Sequence, residues 1–332
     1  MRMKRNYNIL LLTLLLAFAS CSFTSKKFDN PDKDKLLVQL ITYVLEQAHF
    51  SPQDMNDQFS EGVYEDYLEQ LDPFKRYFYQ SDIKEFEKYK HQIDDQLMNY
   101  DLSFFNLTYS RLVQRIEESK AVYQEVIKKP FDYTKEEIFF SDYEDSEFAK
   151  NKKQMKDRWR KQLKFSSIAN YHDLQEVQAK ELENDPNLKL KSNSELEEEA
   201  RETTLNSLNE LYSFIDDRQR KDWFSVYINS IVEEFDPHTF YFAPEDKDRF
   251  DVAMSGNYEG IGARLQKKMD AITITELISG GSAWRQNKLE VGDQILKVRQ
   301  EDEEEAVNVV GMRLDDAVKL IKGPKGTNVI LT

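Results

Sequence analysis

Glycine is confined almost wholly to one end of this chain, and that confinement limits the folds open to each part. Of ten glycines, nine lie between Gly256 and Gly326, and Gly62 is alone between Cys21 and Gly256. Tight β-hairpins need residues that accept positive φ, which glycine does without steric penalty. The glycine-poor stretch is therefore expected to be all-helical, and the glycine-rich remainder to hold the strands. Hydrophobic spacing agrees. Leu36, Leu37, Leu40, Ile41 and Val44 recur at helical intervals, as do Ile83, Phe86, Ile93 and Leu97, then Leu107, Leu112, Val113 and Ile116. From about Lys35 to Pro244 the pattern is helical nearly throughout. Breaks are predicted at Asp72-Pro73, Lys129-Pro130 and Asp185-Pro186. Glu176–Glu202, rich in Glu, Lys and Asn, reads as an exposed helical hairpin or a mobile insertion.

At 332 residues, 12% of them aromatic, the chain is long enough for two domains with cores. A formal net charge of −15 argues against nucleic acid as a partner. The first eight residues carry Arg2, Lys4 and Arg5, and Ile9–Ala19 is apolar except for Thr13. That run is too short for a stable membrane span and reads as a signal peptide over residues 1–20. Ala19 and Ser20 precede Cys21, the only cysteine, which suits lipidation of Cys21 although Phe18 departs from the usual lipobox leucine. Expected boundaries are 1–20 for the signal, 21–34 for a tether, 35–245 for a helical domain and 246–332 for the strand-bearing domain. A bacterial periplasmic, membrane-anchored location follows from this reading. No disulfide can form within the chain.

Read from Gly256, the order is loop, strand, strand, short helix, strand, helix, strand. Gly260-Ile261-Gly262-Ala263 opens the first strand and Ala271–Leu277 alternates as the second. Gly280-Gly281-Ser282 starts a helical turn through Trp284. A third strand runs through a turn at Leu289–Asp293 to Val298, helix Leu314–Ile321 follows, and the last strand is Asn328–Leu331. Successive backbone N–H groups at Gly260, Ile261, Gly262 and Ala263 can hold a terminal carboxylate. A peptide would then add as a strand beside Ala263–Gln266, against helix 314–321. Its side chains would enter a pocket of Ile261, Leu265, Leu314, Val318 and Ile321. Gly260-x-Gly262 lacks the third glycine and preceding strand of a dinucleotide site, and Gly323–Thr327 lacks the spacing of a phosphate loop.

This ordered set closely resembles the tail-specific, or carboxy-terminal processing, proteases. The stretches that carry the likeness are Asp236-Pro237-His238-Thr239, Met254-Ser255 with Glu259–Ala263, and Gly311–Asp316 running to Lys322–Gly326. Upstream, Tyr67–Asp72, Gln80-Ser81-Asp82 and Lys129–Tyr133 extend it. The resemblance implies a helical N-terminal domain, a PDZ domain that captures substrate C-termini and gates the protease, then a catalytic domain with a Ser-Lys dyad. The fold class expected is α+β and multidomain: all-α first, then a PDZ-type, partly open β-barrel with a flanking helix.

The catalytic domain is expected to lie beyond Thr332, so no catalytic residue is assigned. Ser81-x-x-Lys84 has a Ser-Lys spacing, but Ser81 is expected to cap the helix that starts at Asp82. Ser119-Lys120 is expected on a charged helix surface. His49, His91, His172 and His238 show no ligand spacing, so neither a metal nor a cofactor is expected. His238 is expected to fix the inter-domain turn, and Trp159, Trp223 and Trp284 to lie in cores or interfaces. Asn106-Leu107-Thr108 matches a glycosylation sequon by chance. The chain thus reads as the recognition part of a periplasmic Ser-Lys endopeptidase that binds apolar C-terminal tails of envelope proteins, with an adaptor protein as a further partner. A stand-alone lipid-anchored adaptor or scaffold, and a structural lipoprotein with a vestigial groove, are the alternatives.

Overall fold

The computed structural model describes residues 31–143, 146–256, 259–323 and 325–332. The expected signal peptide, Cys21 and residues 21–30 of the tether lie outside them. Helix α1 (Pro31–Tyr43) begins inside the expected tether and closes with a π-helical turn, Val44–Ala48. Then come α2 (Asp57–Leu71), α3 (Gln80–Phe86), α4 (Ile93–Met98) and α5 (Ser103–Ile127). The long α6 (Lys152–Asn184) and α7 (Asn193–Asp216) form an antiparallel hairpin, followed by α8 (Arg220–Phe235) and α9 (Pro244–Ser255). The proline-marked breaks fall where the sequence puts them: α2 ends before Asp72-Pro73, α5 before Pro130 and α6 before Asp185-Pro186.

Residues 128–151 depart from the helical expectation: the described residues among them hold no helix. Pro130 cannot continue α5, and Asp132 turns the chain by accepting the Thr134 N–H at 3.0 Å. The described part of the segment is irregular and is fastened from outside. Gln80 N–H donates to the Ala149 carbonyl at 3.0 Å, and Arg158 donates to the carbonyls of Lys75 and Glu147. Glu176–Glu202 proves to be the tip of the α6–α7 hairpin. Its turn is fixed by the Ser192–Glu195 capping box.

Aromatic side chains fill the helical core. Phe104 is fully buried and its ring meets those of Tyr64, Tyr67, Tyr89 and Tyr227 at centroid distances of 5.6 to 6.2 Å. Trp159 does the same against Tyr123 and Tyr212. Two aspartates organise the turns between helices. Asp72 accepts the N–H groups of Arg76, Tyr77 and Phe78 at 2.8 to 2.9 Å. Burial nevertheless pushes its carboxyl above the usual range. Asp82 caps α3 by accepting the Tyr79 N–H and also binds Arg111 and Arg115.

The glycine-rich region forms two small antiparallel sheets. One contains β1 (Ala263–Lys268), β2 (Ala271–Leu277) and β3 (Gln294–Ile295), joined by α10 (Ser282–Gln286) between β2 and β3. The other has the order β5-β4-β6, from β4 (Lys297–Gln300), β5 (Val307–Asn308) and β6 (Val329–Leu331). Helix α11 (Leu314–Lys322) lies between β5 and β6 in sequence. The single third strand expected through Val298 is divided at Leu296, whose N–H donates to Thr332 O at 2.7 Å. Its halves belong to different sheets. The shared core is aliphatic: Ile272, Ile274, Ile295, Val298, Val309, Ala317 and Ile321.

Candidate peptide-binding site

Among the described residues strand β1 pairs with β2 alone, so its other side is a sheet edge. Alternate N–H and C=O groups along such an edge point outward and can accept another strand. A register shift falls between Arg264 and Leu265. At the head of β1, the carbonyls of Ile261 and Gly262 turn toward the segment that leads into α10. Ala283 N–H donates to Ile261 O at 2.8 Å, and Ile278 N–H donates to Gly262 O at 2.9 Å. In a trans peptide the next N–H points the opposite way. The N–H groups of Gly262 and Ala263 therefore face outward, side by side, where a carboxylate can accept from both.

Two of the glycines here are required for different reasons. Gly260 has φ +135°, which side chains rarely adopt, and a Cβ on it would lie 3.7 Å from Lys322 Cγ. Gly262 has φ +76°, and a Cβ there would stand 2.7 Å from Gly281 Cα. Gly262 thus permits close backbone contact with Gly281.

Lys322, in the last turn of α11, passes over Gly260 and is a candidate charge partner for a carboxylate that motif reasoning missed. It opens onto a basin of about 1120 Å³ whose wall also carries Arg285, Lys288 and Lys325. Glu259 pairs with Lys325 at 3.2 Å. The other three cations leave the basin positive, which suits an anionic chain end.

Of the expected pocket residues, Ile261, Leu265 and Leu314 are half-buried, and Val318 is 37% exposed one turn along α11 from Leu314. Ile321, expected on the pocket wall, is instead 2% exposed and packs in the core beside Ala317. The amphipathic α11 turns Ala317 and Ile321 inward, at i and i+4, and leaves Val318 beside them at the surface.

At the end of β1 far from Gly260, the seam reaches the helical region. Lys267 Nζ binds both carboxylate oxygens of Asp217, at 2.6 and 2.7 Å. Arg313, the residue before α11, binds Asp222 at 2.9 Å. Asp222 also accepts the Gln219 N–H at 2.6 Å, capping α8. Both walls of the seam are thereby tied to the junction of α7 and α8, one to the loop and the other to the first turn of α8. These partners stand 50 and 91 residues apart in sequence, beyond any motif.

The remaining sequence candidates are structural. Ser81 lies exposed inside α3 and does not cap it; Asp82 does. Ser119 is not on a charged surface but is 3% exposed, its hydroxyl shared between Ile116 O and Tyr212 OH. Lys120 pairs with Glu117 and Asp216. The inter-domain turn is fixed by Asp236 rather than by the exposed His238: its carboxylate accepts the His238 N–H at 3.0 Å and meets His49 Nε2 at 3.3 Å. Trp159 and Trp223 are buried, whereas Trp284 is exposed on α10.

Comparison with known proteins matches both regions. The model described as "Tail specific protease N-terminal domain" matches residues 41–245, and the PDZ domain model matches residues 251–332. A tail-specific protease of Haemophilus influenzae is 30% identical over 301 residues, covering 90% of this chain and 40% of that protein. The carboxy-terminal processing protease CtpA of Bacillus subtilis is 38% identical over 96 residues, 29% of this chain and 19% of its own length. A solved PDZ domain of a carboxy-terminal protease from Vibrio cholerae, in complex with peptide, shows 53% identity. It covers 22% of this chain and 74% of that one, with a TM-score of 0.21. The chain spans 40% or less of the length of these two proteases. With its helical part matched over most of its length, and a PDZ domain following it, this chain belongs to the tail-specific protease family.

Proposed function

We propose that this chain is the substrate-recognition part of a C-terminal-processing serine endopeptidase, and that it binds apolar C-terminal tails. The observation that carries the reading is the open edge of β1, headed by the outward N–H groups of Gly262 and Ala263 and faced by α11. A tail would pair with β1 antiparallel, its carboxylate at Gly260–Ala263 under Lys322, and its last side chain among Ile261, Leu265, Leu314 and Val318. The family points to Ser-Lys chemistry for the whole protein; the Ser119 hydroxyl is engaged by Ile116 O and Tyr212 OH. Cys21 would carry a lipid and hold the protein to an envelope membrane facing the periplasm, where tails of envelope proteins, and an adaptor, are within reach.

Titration of the chain with a peptide ending in apolar residues tests the site. Saturable binding that is lost when the peptide carboxylate is amidated is the expected result; equal binding of the amidated peptide would refute it. Cys21→Ser should release the protein from the membrane fraction, and retention there would sink the lipid anchor.

A further inference from the structure

The seam between β1 and α11 does not end at the limits of the PDZ domain. If the carboxylate sits at Gly262, a tail paired with β1 advances ~3.4 Å per residue and covers ~17 Å by Lys267, or about five residues. There it meets the junction of α7 and α8 in the helical domain, because Asp217 of the α7–α8 loop binds Lys267 and Asp222 in the first turn of α8 binds Arg313. A cavity of about 570 Å³ opens at this junction. Phe214, Arg218, Lys221 and Ser225 line it from the helical side, and Arg313 and Leu314 from the PDZ side. Leu314 lines this cavity and also belongs to the proposed side-chain pocket, so the two are neighbours across that side chain.

The charges around the cavity are largely settled among themselves. Asp217 and Asp222 are held by Lys267 and Arg313, while Asp246 and Asp315 share Arg249. Glu233 is the remaining acid on the lining. Arg218 differs: its guanidinium rests 4.8 Å above the Trp223 ring and has no carboxylate partner among the described residues. Beside it, Phe214 presents a ring that is 67% exposed. A stacked, exposed arginine next to an open aromatic face suits an extended peptide carrying an acidic side chain.

We infer that this cavity is a second subsite for the same tail. It takes residues upstream of about the fifth from the C-terminus and favours an acidic side chain against Arg218. The inference rests on the tail-binding reading above and adds that the helical domain reads sequence which the PDZ groove alone does not reach.

The experiment compares peptides that share their last four apolar residues: one of four residues, one of nine with glutamate in its upstream half, and one of nine with lysine there. Each is titrated against the full chain and against Arg218→Glu, an exposed substitution whose thermal midpoint is measured alongside because Arg218 stacks on Trp223. The glutamate peptide is expected to bind about tenfold tighter than the short one. Arg218→Glu should remove about fivefold of that and favour the lysine peptide. Equal affinity for all three peptides, or no change in Arg218→Glu, overturns the subsite while leaving the terminal-carboxylate site intact. Absence of binding by every peptide overturns both.

Discussion

In the helical region the largest buried side chains are rings: Trp159, Tyr67, Tyr227, Phe78, Phe86, Phe104, Phe105 and Phe235. The PDZ region buries only isoleucine, valine and alanine in its core, and its special positions are glycines. The first region is specified by side chains that interlock, with backbone groups satisfied inside helices. The second leaves part of its backbone unsatisfied on purpose, at the edge of β1, and spends glycine to shape the loop that heads it. Damage should therefore act differently in the two, through lost volume in one and through obstructed backbone in the other.

The largest effect is expected from Trp159→Ala, which empties a site ringed by Tyr123 and Tyr212. A loss of about 4 kcal/mol should appear as a lower urea midpoint for the helical signal. An unchanged midpoint would break the claim that rings hold this core. Gly262→Val is the matching insult to the PDZ region, since its Cβ would overlap Gly281 and its φ disfavours a branched residue. We expect a cost of about 3 kcal/mol, confined to that region, with tail binding abolished and helical ellipticity kept. Tail binding that survives would remove Gly262 from the site.

Asp82→Asn sharpens the comparison on the electrostatic side. Burial works to raise the Asp82 carboxyl, but Arg115, the Tyr79 N–H and Arg111 outweigh it and hold the carboxyl below the usual aspartate range. Because the folded value is depressed, its stabilisation is complete above the unfolded value. It is lost as pH falls through the lower folded one. The substitution should cost about 2 kcal/mol at neutral pH, and proportionally less in acid. Urea midpoints followed from neutral to strongly acid pH would show the two curves converging; parallel curves would contradict the assignment. The smallest effect is expected from Lys322→Glu, about fivefold weaker tail binding with no change in thermal midpoint.

Much of the architecture was legible because it depends on local rules. Proline after Asp72, after Lys129 and after Asp185 stops helices wherever it occurs, and the run of glycines after Ser255 marks the change of fold. The segment 128–151 was misread since its order comes from outside, from Arg158 and the Gln80–Ala149 bond. Ser119 was misplaced for a similar reason. Its neighbours Glu117, Glu118 and Lys120 look like a solvated face, whereas Tyr212, 93 residues away, buries it. The tight loop at the head of β1 could be read from Gly-Ile-Gly-Ala. The approach of Lys322 to Gly260 and the two ion pairs at the far end of β1 exist only after folding. Helical spacing put Leu314, Val318 and Ile321 on one face, whereas α11 leaves Leu314 and Val318 partly exposed and buries Ile321 in the core.

The turn at Asp236 sets where the two domains can pivot. Asp236 is gripped by His49, and beyond it Asn229 of α8 exchanges two hydrogen bonds with the Tyr241 backbone, at 2.8 and 3.2 Å. The connecting strap is thus glued to the helical body through Tyr241. Its ring neighbour Phe242 instead faces Phe250 of α9, at 5.1 Å. A swing of the PDZ domain would have to bend the chain after Tyr241, carry α9 with it and break the Lys267–Asp217 and Arg313–Asp222 pairs.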